Sequence, residues 1–184
     1  DWFVDTRAAA GKKSDDGFHW TSGFSARMNP DGSNVANQTN TSGQDEFRPS
    51  WAWNGMRLLF DKAGTGGSGQ QFLRPQFANV LFAPGGLLDP ARYFIILPDG
   101  IGHGKSSKPS DGLKSKFPSY DYDDMVAAQY ALVKTGLKVD HLRLILGTSM
   151  GCMHAFVWGE TYPKFMDAMM PLACLPVEIA GRNR

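Results

Sequence analysis

Five consecutive residues carry the clearest chemistry in this chain: Gly147-Thr148-Ser149-Met150-Gly151. They follow an apolar run, HLRLIL at His141–Leu146, and precede a stretch with helical character, Met153–Tyr162. Where a strand must turn into a helix in so few residues, the serine backbone is strained and its neighbours crowd. Glycines two before and two after remove the Cβ atoms that would collide. The Ser149 hydroxyl then projects above the sheet, and the N-terminus of the following helix points at developing negative charge. The chemistry this suits is nucleophilic acyl transfer. Ser149 is the candidate nucleophile, Gly147 and Gly151 are the turn glycines, and the Met150 N–H is one oxyanion donor.

A second oxyanion donor is expected from an earlier strand–loop junction. The run Gly64-Thr65-Gly66-Gly67-Ser68-Gly69, after the apolar MRLLF of Met56–Phe60, is in the right order, and the Thr65 N–H is the candidate. The same run formally matches G-x-G-x-x-G. No clear helix opens at its end, and the only acid about twenty residues on is Asp89, beside Pro90 rather than at a strand end, so a dinucleotide site is disfavoured. A further cluster, Asp99-Gly100-Ile101-Gly102-His103-Gly104-Lys105-Ser106, invites a phosphate-loop reading through Gly-Lys-Ser. Its leading glycine position is Asp99, so the better reading is a tight turn after a strand.

A serine nucleophile needs a histidine base, and four histidines compete. In a strand–G-x-S-x-G–helix setting the order is serine, acid, histidine, yet no histidine follows His154. His154 lies five residues past Ser149 on the same expected helix, which carries it away from the hydroxyl. His103 sits in a turn before the serine, and His19 and His141 are weaker candidates. Asp167 follows the serine but precedes the last strand, so it is not assigned as the acid. The triad acid and histidine are expected to lie outside this chain.

The elements that would position these residues are legible from Met56 onward. MRLLF reads as a strand. Gln70–Phe82 suits a short helix interrupted at Pro75. YFIIL at Tyr93–Leu97 is a buried strand. Tyr120–Thr135 reads as a helix with Asp121, Asp123 and Asp124 in its first turn, where the dipole favours carboxylates, and Met125, Ala128, Leu132 and Val133 on one face. Ala168–Leu175 is expected to be one more buried strand. Strands alternating with helical crossovers imply a parallel sheet covered on both faces, with ligands bound at the carboxyl ends of the strands.

Residues 1–55 give no such signal and are set apart as a poorly defined N-terminal segment; Asn29–Pro49 reads as loop or weak order. The 184 residues suffice for one domain with a sizeable core. A net charge of +1 gives no basic excess for nucleic acid, and no apolar run reaches membrane-span length. Nothing fixes a compartment. Cys152 and Cys174 fit neither a metal knuckle nor a CxxC pair and are expected as two buried thiols.

From Gly64 to Arg184 the chain resembles the α/β-hydrolase superfamily, and within it the homoserine O-acetyltransferase-like and serine esterase branch. FIILPDGIGHGKSSKPSD (94–111), YDYDDMVAAQYALV (120–133), LILGTSMGCMHAFVWGETYP (144–163) and MPLACLPVEIAGRNR (170–184) carry the resemblance. It implies a mostly parallel α/β sheet with helices on both faces, residues 56–184 being the N-terminal part of the domain, without the lid and C-terminal strands. It implies an acyl-enzyme on Ser149, acting on a small-molecule ester or thioester. Acetyltransferases of the branch read Gly-Gly-Ser-Met-Gly-Gly-Met-Gln at the serine. Thr148, Cys152 and His154 depart from that, favouring a hydrolase with no cofactor over a transferase with acetyl-CoA as co-substrate. Ala63-Gly64-Thr65 stands where relatives often have His-Gly-Thr. A catalytically incomplete fragment or interaction domain is the third expectation. An unfinished sheet edge also leads us to expect a second chain or self-association.

Overall fold

The computed structural model describes residues 2–14, 17–28, 36–37, 57–63, 68–90 and 92–177. Its strands are β1 (Trp2–Ser14), β2 (Gly17–Met28), β3 (Ala36–Asn37), β4 (Arg57–Ala63), β5 (Phe94–Pro98), β6 (Leu144–Ser149) and β7 (Met169–Leu172). The helices are α1 (Pro75–Leu81), α2 (Tyr122–Ala131) and α3 (Met150–Thr161). The strands form one sheet in the order β3-β2-β1-β5-β4-β6-β7. β4 runs parallel to both β5 and β6, and β6 parallel to β7. β1 pairs antiparallel with β5 and with β2, so residues that gave no strand signal in the sequence contribute a hairpin to the same sheet. Most of the Asn29–Pro49 stretch lies outside the described residues.

Period-two alternation decides which side chain meets which face. All five residues of β5 are buried. Phe94 and Ile96 join Ile145 of β6 in a core with Val126, Val133, Ala155 and Trp158 from the side of α2 and α3. Ile95 and Leu97 join Leu146 in a second core with Phe72, Phe82 and Leu88 from the α1 side. The sheet is therefore covered on both faces, and its β-branched and aromatic strands read as continuous apolar runs for that reason.

Helix boundaries follow local chemistry. The Gln70–Phe82 stretch splits as expected at Pro75: a 3-10 helix covers Gly69–Leu73, and Pro75 opens α1, where a missing N–H costs nothing. Asp121 caps α2 rather than lying in its first turn. Its carboxylate accepts the Asp124 N–H, and the Asp124 carboxylate accepts the Asp121 N–H, both at 3.1 Å. Beyond Ala131 the helix widens into a π-type turn over Leu132–Gly136. α3 starts three residues earlier than the sequence suggested, directly after Ser149.

One expectation fails. The last strand, read as buried, is four residues long and mostly exposed, with Met169 40% and Met170 46% accessible. β6 covers one of its edges, and among the described residues no strand covers the other. Among the described residues no helix is long and apolar enough to cross a membrane.

Trp158 ties α3 into the main core. It is fully buried, its Nε1–H donates to Gln129 Oε1 at 3.0 Å, and its ring packs with Tyr162 and Phe165. Trp158→Ala is expected to cost about 3–5 kcal/mol of stability. Urea denaturation of the two proteins measures it, and a loss below about 1 kcal/mol would mean this core collapses around the deletion.

Candidate active site

The strand order creates the site. From β4 the chain moves to β5 on one side, then crosses to β6 on the other side of β4 and continues outward to β7. The direction of winding therefore reverses between β4 and β6, and in open α/β sheets ligands bind at the carboxyl ends of the strands at such a reversal. The register puts Ala63, the last residue of β4, opposite Ser149, the last residue of β6.

Ser149 is exposed, with φ 56° and ψ −119°, a conformation disfavoured for a residue with a Cβ, at a cost on the order of 1–3 kcal/mol. The strain is forced by the immediate switch from β6 to α3. Gly147 shows the crowding: a Cβ there would overlap the Gly151 carbonyl and lie 2.8 Å from the Cys152 nitrogen. Met150 opens α3 as its first residue and, partly buried, packs against the cluster that contains Ile101, Met125 and Leu132. Thr65 and the neighbouring Gly64, Gly66 and Gly67 lie outside the described residues. Past them come Ser68 and Gly69, and a Cβ on Gly69 would meet the Leu97 carbonyl oxygen at 2.7 Å, so Gly69 lies tight against the end of β5.

A buried carboxylate organises that end of the sheet. Asp99, 5% exposed, accepts the Gly69 N–H at 2.8 Å and the Lys105 N–H at 3.0 Å, while the Ser106 hydroxyl donates to its backbone carbonyl. Gly104, at φ 54°, leaves room for the Asp99 carboxylate, which any Cβ would strike. The Gly-Lys-Ser cluster is thus a turn wrapped around Asp99, as read from the sequence. The carboxylate's link to the loop after β4 was not legible there.

The histidines are dispersed. The His103 ring Nδ1 donates to the Ile101 carbonyl at 3.0 Å within its own turn. His154 is buried, edge-on to the Tyr122 ring at 5.0 Å. His19 falls in β2. His141 contacts a carboxylate: its Nε2 lies 2.8 Å from Asp167, whose other oxygen accepts from Arg143 at 3.0 Å. This His–Asp pair precedes β6 and β7, at the amino ends of the strands. Six residues of β6 separate it from Ser149's end, roughly 20 Å at strand rise.

The cysteines overturn an expectation. Cys152 and Cys174, read as separate thiols, form a disulfide with Cα atoms 5.9 Å apart. Because β6 and β7 are parallel neighbours, the first turn after one and the residues after the other meet at the same end of the sheet. A spacing of 22 residues carries no sign of this. A loop of that length is worth about 3 kcal/mol through the unfolded chain.

Two predictions test this geometry. Asp99→Ala leaves the Gly69 and Lys105 N–H groups without their acceptor and is expected to cost about 3 kcal/mol, with Asp99→Asn losing roughly half as much. Chemical denaturation checks both, and a neutral Asp99→Ala would mean water replaces the carboxylate. Hydrogen bonds from His141 and then Arg143 hold the Asp167 carboxyl below its ordinary value. The stabilisation from these contacts is present above the ordinary carboxylate pKa and lost as pH falls through the lowered one. The carboxyl-carbon NMR titration of Asp167 should shift to higher pH in His141→Gln; an unmoved midpoint would remove His141 as the cause.

Residues 63–176 match the family described as the alpha/beta hydrolase fold. A homoserine O-acetyltransferase of Geotalea uraniireducens (strain Rf4) is 36% identical over 133 residues, 68% of this chain and 34% of that protein. One of Thermobifida fusca (strain YX) is 32% identical over 123 residues, 63% of this chain and 32% of that protein. The chain thus spans about a third of the length of these curated relatives. Among solved structures, the acetyl esterase MekB superposes with a TM-score of 0.53 at 26% identity, over 62% of this chain and 33% of that one. An acetylester hydrolase from Corynebacterium glutamicum gives 0.55 at 20% identity over 91% of this chain and 43% of that one, a likeness of fold alone. The strand order, the serine turn between β6 and α3, and the match over residues 63–176 together make this chain a member of the α/β-hydrolase fold family.

Proposed function

We propose that this chain carries the nucleophile of a serine ester hydrolase that works through an acyl-enzyme. The observation that carries the reading is Ser149 itself: exposed, at positive φ, at the winding reversal beside the end of β4. The Ser149 oxygen attacks the ester carbonyl and forms a C–O bond while its proton passes to a base. The tetrahedral oxyanion accepts hydrogen bonds from the Met150 N–H and, in this proposal, the Thr65 N–H. Cleavage of the ester C–O bond releases the alcohol, which takes the proton. Water then adds to the acyl carbon, the acid departs and Ser149 regains its hydrogen.

The base is proposed to come from outside the described residues. His141 is held by Asp167 at the far end of the strands, His103 donates into its own turn, and His154 packs within the core. A histidine contributed by further residues or by a second chain fits the open position around Ser149. No cofactor is needed for this chemistry.

A second reading has support of its own. The curated relatives are homoserine O-acetyltransferases at 32–36% identity, which favours an acyl-enzyme loaded from acetyl-CoA and discharged onto the homoserine hydroxyl. Thr148, Cys152 and His154 at the serine turn favour water as the acceptor instead.

A fluorophosphonate probe followed by intact and peptide mass spectrometry tests the nucleophile. With the residues or second chain that supply the histidine present, one adduct on Ser149, absent in Ser149→Ala, is the expected result. An adduct on another residue, or none, overturns the reading and favours a catalytically incomplete chain. Incubating labelling-competent protein with acetyl-CoA and homoserine separates the two acceptors: O-acetylhomoserine identifies the transferase, and free acetate alone the hydrolase.

A further inference from the structure

The disulfide lies at a mechanically unusual place. Cys152 is in the first turn of α3, three residues after Ser149, and is 1% exposed. Cys174 is half-buried and belongs to the segment that leaves β7. The β7 ladder ends at Leu172, opposite Thr148. The next residue, Ala173, has φ 60°, a left-handed backbone that alanine avoids because its Cβ crowds the carbonyl. Beyond it Leu175 and Val177 are 60% and 63% exposed. They nevertheless form one wall of an apolar groove of about 430 Å³, whose other wall is Met153, Phe156 and Val157 of α3.

These facts describe a segment that leaves its last strand in a disfavoured conformation, presents apolar side chains largely to solvent, and is bonded to the helix at one point. We infer that Cys152–Cys174 is a reducible clamp, a thiol–disulfide exchange site that takes a dithiol and controls whether the 173–177 segment lies against α3. The attack falls on Cys174, since Cys152 is closed to solvent. A thiolate of the dithiol bonds to Cys174 Sγ and expels Cys152 as its thiolate. The second thiol of the reagent then displaces Cys174 and closes the reagent's own disulfide. Two electrons pass from the dithiol to the cysteine pair, and the two protons of the reagent end on the two released thiols. With the bond gone, Ala173 returns to an ordinary backbone region and Leu175–Val177 swing off the groove. The strands are unaffected, since the ladder between β6 and β7 ends before Ala173. This inference does not depend on the acyl chemistry proposed for Ser149.

The test uses the full chain without denaturant. The protein is alkylated with iodoacetamide before and after dithiothreitol, and its intact mass and its amide hydrogen exchange are measured. No alkyl group before reduction and at least one after it, on Cys174, are expected, with exchange in 173–177 faster by about tenfold and exchange in β6 unchanged. Alkylation without reductant would overturn the inference, because the bond would not form. Reduction that requires denaturant, or reduced protein with unaltered exchange in 173–177, would make the bond a passive staple and also overturn it. So would a rise in β6 exchange matching that of the segment, since the opening would then be global. The Cys152→Ser/Cys174→Ser protein should reproduce the reduced pattern, and if it does not fold, the reduced wild-type protein decides.

Discussion

The reversal from β6 into α3 is the constraint on which the rest of this structure depends. No loop separates the strand from the helix: Ser149 ends one and Met150 begins the other. A chain can turn that sharply only if one residue takes a disfavoured backbone and its neighbours surrender their side chains. Gly147 does so against the Gly151 carbonyl, and Ser149 takes the strain. Strain on the order of 1–3 kcal/mol persists only where packing over-determines it. Here the packing comes from both sides of the turn. Ile145 and Leu146 are fixed in opposite faces of the sheet, and Ala155 and Trp158 fix α3 on one of them. The two cores hold the two arms of the turn, and the serine between them has nowhere to relax.

The same logic extends sideways along the carboxyl ends of the strands. A sheet positions residues only as far as its ladders reach, and past Ala63 and Pro98 the chain is held by other means. Asp99 supplies one of them. Its carboxylate accepts N–H groups from the loop after β4 and from its own turn, so two loops share one buried acceptor. Charged acceptors make the stronger hydrogen bonds, and a backbone N–H donor on each carboxylate oxygen offsets the cost of burial. Past Leu172, the disulfide at Cys174 does the corresponding work by a covalent bond.

How much of this was legible in the sequence follows from range. Local signals are legible where local physics decides: the break at Pro75, the acidic start of α2, the buried run of β5, and the glycine-flanked turn from β6 into α3. Each depends on residues within one turn or one strand. What escaped depends on pairing across the chain. The strands β1 and β2 carry Gly, Ser, Thr and charged residues that suit loops as well as strands, and their place is set by pairing with each other and with β5. Among the described residues only β6 pairs with β7, which an apolar run such as MMPLACL does not reveal. The cysteine pairing arises from strand adjacency, and the Asp99–Gly69 bond joins residues 30 apart. Thr65, the expected second oxyanion donor, lies outside the described residues.

Sheet polarity decides which polar clusters can serve the serine. A histidine 2.8 Å from a carboxylate is the arrangement a serine nucleophile requires of its partners, and His141 with Asp167 supplies it in isolation. But in a parallel sheet every strand starts at one end and finishes at the other. His141, Arg143 and Asp167 all precede their strands, and Ser149 ends one. No side-chain rotation spans roughly 20 Å of β6, so the pair acts as an ion-pair cluster tying the start of β6 to the start of β7. Its depressed carboxyl pKa is the mark of that pairing rather than of catalysis. The useful question about a titratable cluster in such a fold is therefore which end of the strands it occupies, and only groups arriving at the carboxyl ends, from the loops after β4, β5, β6 or β7 or from elsewhere, can take the proton of Ser149.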